Sequence, residues 1–267
     1  MNDPESEFLE RCALEDLHRA ADENDIKSIG VASHTVGAAF VSVAPQLPSS
    51  AIIVNRVIGL GLGAATSSEE VQELVSIYRD RNVARYFVQL HPNHKPAITK
   101  EWLKEEGLKE GRGWQKFSRG RKPVIAHQSD LSVREIDQAH GRDFGSILCD
   151  AFDLGDKAIP WLSKLAARPD WHIFMSFDGE NPAGVGALYV KDGFGWTDFG
   201  ATAPAFRRRG SQGVLMAARL ECALDLGCKK IFNCTGVNVP GDSQHSYSNI
   251  LKAGFTEEYV RGNYEPF

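Results

Sequence analysis

The sequence predicts an α/β protein built from two successive copies of one helix-and-strand unit. Its 267 residues, 42% of them hydrophobic, can fill one large core or two modest ones, and at roughly 100–200 residues per domain two is the better expectation. Apolar segments alternate between helical and strand periodicity along the whole chain. The two halves also end alike: Trp102-Leu103-Lys104-Glu105-Glu106-Gly107-Leu108 reads like Ile250-Leu251-Lys252-Ala253-Gly254-Phe255, about 147 residues later. In both places an aromatic-bearing strand follows, and the strands before them, 86–88 and 231–232, correspond.

In the first half, Phe8, Leu9, Cys12, Ala13, Leu17 and Ala20 have the spacing of an amphipathic helix over 5–24. Segments 38–44 and 52–58 read as strands. A helix over 67–81 is opened by Ser67 or Ser68 as cap and by Glu69 and Glu70. A strand over 83–90, a helix over 102–106 and a closing strand over 113–119 complete the half. Residues 119–123, basic and ending in a proline, make the linker. The order then restarts: a strand at 131–136, helices at 138–152 and 157–167, a strand at 172–177, and a hairpin of 184–191 and 194–202 around Asp192-Gly193. A helix from about 210, a strand at 230–235 and a helix at 246–253 stopped by Gly254 follow.

The formal net charge of -5 gives no general attraction to nucleic acid or anionic lipid, so neither is an expected partner. The acidic start lacks the pattern of a signal peptide and no segment has the length and apolarity of a membrane span, which predicts a cytoplasmic protein. Cys12, Cys149, Cys222, Cys228 and Cys234 are odd in number and show no C-x-x-C pair. Buried thiols are expected rather than disulfides or a metal site.

The stretch richest in chemistry is Ala201-Thr202-Ala203-Pro204-Ala205-Phe206-Arg207-Arg208-Arg209-Gly210-Ser211-Gln212-Gly213, between an expected strand and an expected helix. The helix start supplies unpaired N–H groups and the positive end of a dipole, the arginines add attraction, and Gly210 and Gly213 let a diphosphate approach. Val214 after Gly213 excludes a Walker A loop, and the glycine spacing disfavours a Rossmann turn. The first half has Gly59-Leu60-Gly61-Leu62-Gly63 in the corresponding place, with no arginine and with two glutamates that would repel a diphosphate.

On this loop and its flanking elements, over roughly residues 130–267, the sequence resembles the GNAT superfamily of N-acetyltransferases. Its signature, Arg/Gln-x-x-Gly-x-Gly/Ala, is met by Arg207 and Gly210, with Gln212 in the place of the small residue. The resemblance implies two GNAT-like units in tandem, each a mixed, mostly antiparallel central sheet flanked by helices. Residues 1–121 would be a degenerate unit without the cofactor loop, and 122–267 the acetyltransferase unit. It implies acetyl-CoA held by Thr202, Ala203, Arg207, Arg208, Arg209, Gly210, Ser211, Gln212, Gly213 and Ser243, the last standing where the family often has asparagine. The implied reaction is direct acyl transfer from the thioester to a primary amine of a small molecule, amino acid or peptide. Strand alternation puts Trp196, Asp198, Gly200 and Thr202 on one face. Asp198 is the candidate base there, with a solvent-facing carboxylate as the plain alternative.

The family's tyrosine acid is replaced by Ile250, and Tyr247, three residues earlier on nearly the same helix face, is the substitute candidate. A packing role for Tyr247 is equally open, as is a non-catalytic acyl-CoA-binding module or sensor for the whole chain. His91-Pro92-Asn93-His94 reads as an exposed loop, and His245 as a surface residue. Trp161, Trp171 and Trp196 line a pocket or belong to the core. Oligomeric state stays open.

Overall fold

Two units account for the residues described by the computed structural model, 4–267: residues 4–115 with Tyr259–Phe267, and Lys116–Glu258. In the first, α1 (Glu5–Arg19) carries acids in its first turn and His18 and Arg19 in its last, the order its dipole favours. The helix expected over 5–24 breaks because Asp22 caps α2 (Glu23–Ile29) in a reciprocal box with Asp25. Strand β1 (Ala32–Val36) was hidden by its polar Ser33, His34 and Thr35; it pairs antiparallel with β2 (Ala39–Val43). The strand expected over 52–58 shrinks to β3 (Arg56–Ile58). Residues 51–55 instead close a turn on the Asn55 side chain, which bonds both the N–H and the carbonyl of Ala44.

Helix α3 (Ser68–Asp80) follows, then β4 (Phe87–Leu90), parallel to β3, α4 (Thr99–Glu105) and β5 (Leu108–Glu110). Val41, Val57, Leu74, Tyr78, Val88 and Tyr264 anchor the core. Strand β6 (Trp114–Arg119) passes into the second unit at Lys116.

The second unit contains β7 (Ser132–Ile136), α5 (Gly141–Phe152), α6 (Ile159–Ser163), β8 (Trp171–Asp178), β9 (Asn181–Lys191), β10 (Phe194–Thr202), α7 (Ser211–Asp225), β11 (Lys230–Gly236) and α8 (His245–Lys252). The helix expected over 157–167 is α6 between two short 3-10 turns. The strand order is β6-β11-β10-β9-β8-β7. Strands β7 to β10 are antiparallel neighbours, whereas β10 and β11 run parallel. The β9–β10 hairpin turns at Asp192 and Gly193, both at positive φ, as a two-residue turn requires. Phe117, Met216, Leu220, Ile231, Ile250 and Phe255 join α7 and α8 to the sheet.

The last strand, β12 (Thr256–Pro266), begins in the second unit, where Thr256 Oγ1 donates to the Ser118 carbonyl. From Tyr259 onward it belongs to the first unit, where it pairs antiparallel with β4 and β5. The units therefore exchange the chain twice, whereas the sequence suggested one division at 121/122. Side chains fasten this return. Arg261, fully buried, donates to Glu7 (2.9 Å) and Glu10 (2.6 Å) of α1. Glu10 also pairs with Arg56, and the Tyr259 hydroxyl donates to Glu7 (2.9 Å). Both guanidiniums lie over the Trp114 ring. Two buried acids thus meet two buried bases, the balance that makes charge tolerable in a core. No helix among the described residues is long and apolar enough to cross a membrane.

Candidate functional site

Strand β10 carries the site. Its ladder with β11 runs only from Phe194↔Lys230 to Trp196↔Phe232; beyond it the parallel strands keep no backbone pairs. Side chains mark the parting: Asn233 Nδ2 donates to Thr197 Oγ1 (2.6 Å) and to the Thr197 carbonyl (3.1 Å). On its other side β10 is bulged, because Asp198 faces Ala187 whereas Ala201 faces Val185, leaving one residue outside the ladder. Phe199 sits at φ 48, a conformation costing about 1–3 kcal/mol for a residue with a side chain.

The bulge overturns one expectation: Trp196 and Asp198 share a face, but the extra residue sends Thr202 to the opposite one. Asp198 is half-buried. Its carboxylate accepts from Trp196 Nε1 (2.9 Å) and from the Phe199 N–H (2.8 Å). Both bonds orient it, and each oxygen keeps acceptor capacity.

After Ala203 a 3-10 turn over Pro204–Phe206 leads to the arginine turn, and α7 begins with Gly210 at φ 82 as N-cap. No side chain caps the helix and its first turn holds no acid. The Gly213 and Val214 N–H groups bond to the Gly210 carbonyl, so those of Ser211 and Gln212 remain for an anion. Arg207 and Arg208 are exposed; among the described residues neither pairs with a carboxylate. Arg207 Nε lies 3.5 Å from the Thr202 carbonyl.

Arg209 differs from its neighbours. It bonds to Asp130 (Nε to Oδ2 3.0 Å) and Asp178 (Nη1 to Oδ2 2.9 Å), and these bonds hold both carboxyls below their usual range and the guanidinium above its own. Two carboxylates thus more than offset its charge within the protein. The glycines also differ from expectation. A Cβ on Gly210 would lie 2.6 Å from the Gln128 carbonyl oxygen, and one on Gly213 2.9 Å from the His127 ring. The space a side chain would fill is taken by the chain's own residues 127–128. Ser211 turns its hydroxyl inward to Ser176 Oγ (2.8 Å), which leaves only its backbone N–H as a candidate ligand group. Ser243 is exposed in the coil before α8.

Tyr247 is buried, its ring edge-on to Phe117 at 5.0 Å. Its hydroxyl donates to Glu257 at 2.5 Å. Burial, with that carboxylate, pushes the phenol up to about 12. No hydrogen bond joins it to Asp198.

Two residues escaped the sequence reading. Arg219, fully buried on α7, donates to the carbonyls of Leu215 (3.1 Å), Ala187 (3.4 Å) and Asp198 (3.0 Å), and burial pulls it down to about 10. Glu257 was equally unforeseen. Arg219 has no signal beyond a charge on an apolar helix face, and Glu257 none beyond standing in the polar start of β12. His91, expected in an exposed loop, is buried with its ring 4.4 Å from that of Tyr259. Trp161, Trp171 and Trp196 are all core. His245 is exposed, as expected. The described residues hold no cluster suited to a metal, and the five cysteines are thiols.

No family profile matches the sequence, and no curated protein does either. Solved structures do. A GCN5-related N-acetyltransferase from Kribbella flavida superposes with a TM-score of 0.64 over 98% of this chain and 95% of its own, at 12% identity. Another from Sphaerobacter thermophilus gives 0.58 over 85% and 76%, at 14% identity. A tandem GNAT protein from the clavulanic acid biosynthesis pathway gives 0.53 over 79% and 73%, at 12% identity. The chain has the GNAT fold, a mixed sheet flanked by helices.

Proposed function

We propose that the protein is an acetyl-CoA-dependent N-acetyltransferase whose second unit holds the cofactor and whose first unit is a degenerate copy without a cofactor loop. One observation carries the reading: an uncapped, acid-free helix start flanked by two unpaired arginines stands at the end of a strand that is bulged on one side and parted from its neighbour on the other. That combination offers a diphosphate a seat and an extended arm the edge of β10 where it parts from β11. The Ser211 and Gln212 N–H groups with Arg207 and Arg208 would hold the diphosphate, and the end of β10, Thr202 and Ala203 included, would face the pantetheine. Bound acetyl-CoA supplies an acyl thioester, the electrophile for direct transfer to an amine.

Asp198 is the proposed base, fixed by the Trp196 indole and the Phe199 N–H so that it can take a proton from an incoming ammonium directly or through water. Tyr247, the candidate acid, fits packing better, because its proton is held by Glu257 and its phenol is a weak donor at about 12. The acceptor class we propose is a primary amine of a small molecule, amino acid or peptide, in the cytoplasm where acetyl-CoA is available. The test is release of free thiol from acetyl-CoA across a panel of amines, against a control without acceptor. Acceptor-dependent release supports the reading. Binding of acetyl-CoA without release for any amine would instead favour an acyl-CoA-binding module or sensor.

A further inference from the structure

Three glycines of β9 and β10 lie under three polar side chains of α7. A Cβ on Gly184 would overlap Ser211 Oγ, one on Gly186 would come within 2.8 Å of the Arg219 guanidinium, and one on Gly200 within 2.8 Å of Gln212 Oε1. Glycine weakens a strand interior, so three of them beneath one helix mark a close approach that the sheet is built to accept. Gln212 and Arg219, seven residues apart, lie on the same side of α7. Gln212 Nε2 donates to the Ala201 carbonyl (2.7 Å) and to Thr202 Oγ1 (3.0 Å), and Arg219 Nη1 donates to the Asp198 carbonyl (3.0 Å). These contacts grip β10 at the two ends of its bulge, 198 and 201.

We propose that Gln212 and Arg219 form one clamp that holds β10 in its bulged form and ties it rigidly to the anion-binding turn at the head of α7. Both are positioning residues: they touch neither reacting group but fix the strand that presents them. The guanidinium of Arg219 matters because Nη1 reaches the carbonyls of Ala187 on β9 and Asp198 on β10 while Nε stays on the Leu215 carbonyl of α7, three bonds that the single nitrogen of a lysine cannot keep at once. Gln212 must donate, so an isosteric carboxylate cannot replace it. The inference rests on the acetyltransferase reading for its kinetic consequence and on the geometry alone for its mechanical one.

The test uses the full chain with Gln212→Met, which removes the donor without adding a charge at the helix start, and Arg219→Lys, plus Gly186→Ala, which presses on the clamp from the sheet side. Amide exchange over residues 198–202 should quicken in all three while α8 stays protected, and kcat should fall about tenfold with KM for acetyl-CoA within about threefold. Unchanged exchange would overturn the clamp, and so would faster exchange with unchanged kcat. A rise in KM alone would overturn it too, by making the side chain of Gln212, and not only its backbone, a ligand contact. If wild type releases no thiol with any amine, the activity fails but the clamp is still judged: at saturating CoA, exchange over 198–202 should slow in wild type and not in Gln212→Met. Equal slowing in both would overturn it.

Discussion

The strand–turn–helix segments β3–α3 and β10–α7 occupy matching places in the two units, each running from a strand to a helix and on to a parallel neighbour strand, and they end in opposite electrostatics. Helix α3 satisfies its own start: Ser67 Oγ accepts from the Glu70 N–H, and Glu70 accepts from the Ser67 N–H (3.2 Å) and Thr66 Oγ1 (2.6 Å). Its turn is filled as well, with Lys95 bonded to Gly61 and Thr66 through the backbone. Helix α7 has no such cap and carries unpaired arginines before it. The same local geometry is therefore a framework where the helix dipole is answered from within and a candidate anion site where it is not. The first unit also pairs four charges inside itself, in the buried cluster of Glu7, Glu10, Arg56 and Arg261.

If that cluster is framework, breaking it should affect stability far more than ligand binding. Arg261→Met leaves two buried acids short of a partner and should cost about 3–5 kcal/mol in denaturant unfolding, with CoA affinity unchanged in the population that remains folded. A loss of CoA binding at full stability would give the first unit a direct role and break the comparison. On the second unit, Asp198→Asn should lower turnover about a hundredfold near neutral pH. The deficit should shrink at high pH, where the amine needs no base. A deficit independent of pH would return Asp198 to orienting the bulge.

Much of this was legible in the sequence because it rests on local rules. The α3 cap, the Asp192-Gly193 turn and the order from β7 to α8 follow from side-chain chemistry within a few residues. What was hidden is long-range. Strand β1 is polar because half of it faces outward, and nothing in residues 256–266 announces that the strand crosses from one unit to the other. Its register is set by α1 acids some 250 positions away. In the site, the arginine turn was readable as a motif but its division of labour was not. Asp130 and Asp178 neutralise Arg209 from separate elements, and the bulge that moves Thr202 to the other face depends on Arg219 and Gln212 meeting carbonyls across the sheet.

Smaller effects sharpen the contrast further. Tyr247→Phe removes a hydrogen bond to a carboxylate and should cost about 1–2 kcal/mol. Because the folded phenol is pushed up to about 12 from 10, the wild-type advantage should be complete below pH 10 and disappear as pH rises toward 12. An acid role predicts a turnover defect that shrinks with a more acidic thiol donor, whereas packing predicts little change in turnover with either. Ser67→Ala should cost about 1 kcal/mol through the lost cap, with no gain of anion binding, since Glu69 and Glu70 remain. Appearance of a second CoA site in that variant would show the cap alone had closed the first unit.

The central claim, that only one of the two matching turns seats a diphosphate, is tested most directly by calorimetric titration of the full chain with CoA, in wild type and in Arg208→Glu. The account predicts one site per chain, weakened about tenfold or more by the charge reversal, with a loss that diminishes as salt is added. Two equivalent sites per chain, or binding indifferent to Arg208→Glu at low salt, would contradict it.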